Sequence, residues 1–237
     1  MSAELFHTAR VKVRRGRHHI AEMMPAVDAI FRQHNAQMVG LSASVWAKRL
    51  HRGIVPELPI QERHLDEVAC CVGDAAHNLR AALDLMAVEA VERSGGKTDR
   101  VQFPFGETHE QLTGVGGKRG VIEQHRFNWA RKDAVELLIN LRPHGGADGN
   151  RLLWGLHKLD IVDKHQDIIA LAHDRSRPAI YFKGARVPSA TAAPLRLVFA
   201  SGVFKNEEIL KALNMVADEV ERALDMFCAV FDYKISD

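Results

Sequence analysis

Gly73-Asp74-Ala75-Ala76-His77-Asn78-Leu79-Arg80-Ala81-Ala82-Leu83-Asp84 lies in the middle of a segment whose apolar spacing predicts a long helix. The stretch sets His77, Arg80 and Asp84 at i, i+3 and i+7, on one helical face. Around the same helix Leu65, Val68, Val72, Leu79, Leu83 and Met86 form a core stripe, while Glu67, Asp74, Asn78, Glu89 and Glu92 mark a solvent side. The polar trio belongs to neither. Its neighbours are Cys70, Gly73, Ala76, Ala81, Ala87, Val88 and Val91. Residues that small or apolar predict half-burial against another element, where charges need partners.

A partner is at hand. Arg151 to His165 reads as a helix, with Asn150 as its N-cap. His157, Asp160 and Lys164 repeat the i, i+3, i+7 spacing, and their charges complement those of the first helix. If the two helices pack with matching polarity, Arg80 meets Asp160 and Asp84 meets Lys164. Two uses follow. A buried ionic network can set helix register, which is the commoner role. Alternatively, Arg80 holds a phosphate or carboxylate, and His77 or His165 serves as general acid or base beside Asp84 and Asp160.

Elsewhere, residues from about Ala3 to Asn35 read as a helix kinked at Pro25, and Leu41 to Ala47 alternate like a weak strand. Gly53 to Pro59 reads as a loop, and the second long helix covers about Ile60 to Arg93. A loop-rich section precedes a helix from about Asn128 to Leu141. Ile168 to Ala172, Ala179 to Lys183 and Leu195 to Ala200 read as three strands, and Asn206 to Tyr233 as a last amphipathic helix. The expected fold class is α+β: residues 1–237 as a single domain, a bundle of long helices with a small antiparallel sheet.

Composition narrows the function classes. Charged residues make up 26% and the net charge is +2, too mild a basic excess to argue for nucleic acid by itself. No apolar run approaches the roughly 18 to 20 residues of a membrane helix. Three cysteines without a C-x-x-C pair suit a reduced, cytoplasmic chain. Thirteen histidines are the compositional oddity and point to pH sensitivity or metal binding.

His77-Asn78-Leu79-Arg80-Ala81-Ala82-Leu83-Asp84, the later Phe103-Pro104-Phe105, and Leu156 to His165 together resemble an uncharacterised bacterial and phage protein family. Its members carry an H-N-L-R-x-A-L-D helix, an F-P turn and an L-x-x-x-D-K-H segment. The resemblance implies the helix-plus-sheet layout and no particular activity. Many members have His after the Asp of the helix motif, which would resemble the Arg-and-His signature of HEPN-type ribonucleases. Here that position is Leu85. Arg151 with His157 fits the same spacing, as do Arg119 with His125 and Arg14 with His19. In a chain this rich in Arg and His such pairs arise by chance.

Gly114 to Arg119 fails as a phosphate loop on spacing and reads as a surface loop. The basic run Arg10 to His19 has no interleaved aromatic residue and reads as a solvated helix face, with weak RNA contact as the minority use. No metal or cofactor motif is complete; Arg80 and Lys164 would oppose a cation among His77, Asp84, Asp160, Asp163 and His165. The expected function is a cytoplasmic binding or interaction protein whose polar helix pair is an ionic network, with an anion pocket at Arg80. Its partner is a second copy, through the terminal helices, or another protein. The alternative is an HEPN-like ribonuclease, using Arg151 and His157, or another hydrolase of a phosphorylated or nucleic-acid substrate.

Overall fold

A computed structural model describes residues 4–39, 62–165, 171–174, 179–182, 185–188 and 196–232, with side chains for 4–33, 63–163 and 197–232. Helix α1 (His7–Glu22) is divided from α2 (Met24–Val39) at Met23, two residues before Pro25, with Met23 itself in helical backbone geometry. Pro25 itself sits in the first turn of α2, where its missing N–H leaves no bond unmade. The expected strand and loop between Leu41 and Pro59 lie outside the described residues.

Helix α3 (Glu62–Arg93) is the axis of the molecule. It ends where Gly95 turns to φ 77° and the Gly96 N–H reaches back to the Val91 carbonyl. On one side α3 meets α1 at close range. A Cβ added to Gly16 would lie 2.9 Å from Leu79 Cγ, so only a glycine admits that side chain. Phe6 is wholly buried, and its N–H donates to Glu89 of α3 (3.0 Å), which supplies the cap that the start of α1 lacks. Asn78, expected at the solvent side, is buried here: its amide donates to the Asp74 carbonyl and its oxygen accepts from Lys12 of α1.

The section after α3 is more helical than its glycines suggested. It holds α4 (His109–Thr113), α5 (Val121–Gln124), a 3-10 turn (Phe127–Trp129) and α6 (Lys132–Leu141). The expected continuous helix from Asn128 is interrupted because Ala130 is extended. Helix α7 (Arg151–His165) starts as expected, with Asn150 Oδ1 accepting the Leu152 and Leu153 N–H groups at 3.2 Å each. The last helix, α8 (Ile209–Asp232), buries Ile209, Leu213, Val216, Val220, Leu224 and Phe227. That stripe, on which a homodimer through the terminal helices was expected to rest, packs within the chain against α1, α3, α6 and α7.

The α+β expectation is overturned: the chain is mostly helical, and among the described residues no antiparallel sheet forms a layer of the core. Among the described residues β1 (Leu171–Asp174) pairs with β4 (Arg196–Phe199), and β2 (Ala179–Phe182) pairs with β3 (Ala185–Pro188). Each ladder is two strands of four residues, too small to cover a helix layer. Of the expected runs, Leu171 and Ala172, Ala179 to Phe182 and Arg196 to Phe199 fall in strands; Ile168 to Ala170, Lys183 and Leu195 lie outside the described residues, and β3 was not expected. Strand β4 enters the core through Leu197, Val198 and Phe199. No described helix is long and apolar enough to cross a membrane.

Candidate functional site

The polar face of α3 meets α7, and the two helices run antiparallel. A Cβ on Gly73 would fall 2.0 Å from Asp163 Oδ1; His77 Nδ1 lies 3.3 Å from Asp160 Oδ1; the Arg80 charge acts on His157. Ascending order on one helix therefore meets descending order on the other. This polarity breaks the expected pairing. Arg80 does not bridge to Asp160, and Asp84 is engaged elsewhere. The Lys164 and His165 side chains lie outside the described residues.

Arg80 turns along its own helix instead. Its guanidinium donates to the Asp84 carboxylate, donates to the Phe103 carbonyl (3.2 Å) and lies over the Phe105 ring (4.7 Å to the centroid). Asp84 also accepts the Phe103 N–H at 2.9 Å. Both backbone polar groups of Phe103 are thus satisfied by this one ion pair, which clamps the Phe103-Pro104-Phe105 turn onto α3. Arg80 is 7% exposed and its partner Asp84 about a third exposed, so the clamp sits at the edge of the interior.

Phe105 links the clamp to α7. Its ring stacks on His157 with planes 3° apart and centroids 4.5 Å apart, and His157 is tilted against Trp154. Burial, reinforced by the Arg80 and Lys158 charges, pushes the His157 imidazole down to about 4. Its Nδ1 is buried without a hydrogen-bond partner. Lys158 turns outward to Glu107 (2.9 Å) and over the Trp154 ring. His125 is also drawn in, beside Phe103, and burial with the Arg80 charge lowers its pKa. His125 was legible only as half of a chance Arg-His pair.

The remaining candidates separate. Arg151 donates to the Val203 carbonyl, pairs with Glu207 and lies over Phe204, whereas His157 faces Phe105 and Trp154. Six residues on a helix rotate these two side chains away from each other, so the HEPN-type pair does not converge. His77 is about half exposed, and its imidazole leans on the buried Asp160. In the basic run, Arg10 pairs with Asp225, and Arg17 with Asp218 and Glu221. Among the described residues no three His, Cys, Asp or Glu side chains are placed to hold a metal ion, and the three cysteines are free. No protein-family model, curated protein or solved structure matches this chain.

Proposed function

We propose that this chain is a cytoplasmic binding or interaction module whose polar helix pair organises the fold rather than performing chemistry. The observation that carries this is the inward commitment of Arg80, whose guanidinium is divided among Asp84, the Phe103 carbonyl and the Phe105 ring. A group so engaged positions a turn. The same reading takes the chain as a member of the uncharacterised family it resembles, with the H-N-L-R-x-A-L-D and F-P elements related as clamp and clamped turn. A partner, whether a second copy or another protein, meets a surface of charged helix faces, because the apolar stripe of α8 is used within the chain. Thermal melting with and without inorganic phosphate tests this. Arg80→Ala lowers the melting temperature sharply, and phosphate stabilises neither protein through this residue. Unchanged melting in Arg80→Ala, with loss of a phosphate-dependent stabilisation seen in the parent, contradicts it.

One contact favours the hydrolase alternative. A half-exposed imidazole with Nδ1 turned to a buried carboxylate is the arrangement of an oriented general base. On that reading His77 is the base and Asp160 its orienting partner, acting on a phosphorylated or nucleic-acid substrate. Hydrolysis of a phosphate ester or of RNA that disappears in His77→Gln supports it; equal rates in both proteins reject it.

A further inference from the structure

Three histidines close on one short segment, Phe103-Pro104-Phe105-Gly106. His125 lies beside the Phe103 backbone, and His157 stacks on the Phe105 ring. His144 pairs with Gly106 as an isolated parallel bridge, in which the Gly106 N–H donates to the Pro143 carbonyl and the Gly145 N–H to the Gly106 carbonyl. Each ring has a buried nitrogen without a hydrogen-bond partner among the described residues: Nδ1 of His125, Nδ1 of His157 and both nitrogens of His144. His144 is wholly buried, edge-on to His109, inside a turn so tight that a Cβ on Gly149 would sit 1.9 Å from the His144 carbonyl oxygen.

A neutral imidazole tolerates such a site poorly, and an imidazolium hardly at all, because both of its N–H groups must be solvated or accepted. We propose that the Phe103–Gly106 segment and the Pro143–Gly149 turn form an acid-released latch, which opens as these histidines take up protons and so exposes the Phe103 and Phe105 rings.

The charges around each ring set the direction. His157 faces Arg80 of α3, Lys158 and Asp160 of its own helix, and Glu107; burial and the two cations outweigh the two carboxylates. His125 faces Arg80 and Asp84, and burial with the arginine prevails over the carboxylate and the Phe103 backbone. His144 faces Asp148 and Arg142 from its own turn and His109 and Glu110 from α4, and burial prevails. All three folded-state values lie below the ordinary 6.5, so the closed form binds fewer protons than the open one. Closure is complete above the ordinary histidine value and is lost as pH falls below it; the His157 contribution continues down to about 4 and adds nothing further beyond.

Amide hydrogen exchange, compared as protection factors at pH 7 and pH 5, tests this on the full chain. Phe103, Gly106 and Gly145 lose protection, by about twentyfold from His157 alone for a shift from 6.5 to about 4, while Leu83 and Val220 in the helical core keep theirs. Unchanged protection at the latch, or an equal loss at Leu83 and Val220, overturns the proposal. His157→Phe keeps an aromatic ring on Phe105 and removes the titration, so its acid sensitivity falls; sensitivity equal to the parent's overturns the role of His157. The imidazole titration of the unaltered protein gives an independent reading. His157 is expected to stay neutral well below the ordinary histidine range while the latch is closed, and protonation at the ordinary value with the latch closed contradicts the account.

Discussion

Arg17 and Arg80 are both ion-paired arginines in long helices, but water reaches the first and scarcely reaches the second. Arg17 bridges α1 to Asp218 and Glu221 of α8 at 2.6 and 2.7 Å, with side-chain exposures of 32%, 69% and 40%. Arg80, 8% exposed in its side chain, binds Asp84, 34% exposed, on its own helix and the buried backbone of a distant turn. The geometries at Arg17 are the more regular, yet exposed pairs contribute little because solvent screens them and long side chains lose freedom. A buried pair adds little net energy when intact but is costly to break, because removing one partner strands the other charge and its hydrogen bonds. Good geometry therefore does not rank the two sites; burial does.

The comparison breaks first at Arg80. Arg80→Ala takes the guanidinium from a partly solvated Asp84 and leaves the Phe103 carbonyl without that donor, and is expected to destabilise by about 1.5–3 kcal/mol in denaturant unfolding. A loss below about 1 kcal/mol would place Arg80 with the surface pairs. Next comes the helix crossing that fixes which charges meet. Gly73→Val drives a side chain into Asp163 and is expected to cost about 1–3 kcal/mol, with His77 drawn away from Asp160. An unchanged His77 environment by NMR would show that α7 is not held by that contact. The smallest effect is at the surface: Arg17→Ala is expected to change stability by about 0–1 kcal/mol, and less in high salt.

The long helices were legible because their apolar positions recur every three or four residues over many turns. The polar face of α3 was legible as half-buried for the same reason. Helix polarity was not. The sets His77-Arg80-Asp84 and His157-Asp160-Lys164 look complementary in parallel, but an antiparallel crossing pairs His77 with Asp160 and leaves Arg80 near His157. Charge order alone cannot fix direction, since an arginine can also satisfy a carboxylate four residues away on its own helix. The Phe103-Pro104-Phe105 turn carried no periodic signal, so its place between α3 and α7 was visible only as a family-like motif. His125 and His144 were hidden because burial, not spacing, gives them their character. The strands were read from real extended runs; their number suggested a sheet, but four-residue ladders paired two by two do not form one.

The central claim is that Arg80 and Asp84 act as one structural unit, in which the arginine is buried and the carboxylate about a third exposed. A double-mutant cycle with Arg80→Ala and Asp84→Ala, read by denaturant unfolding, measures it most directly. The account predicts a coupling of about 1–3 kcal/mol, as for residues sharing one hydrogen-bond network. A coupling near zero, no larger than in a parallel cycle on Arg17 and Glu221, would contradict it.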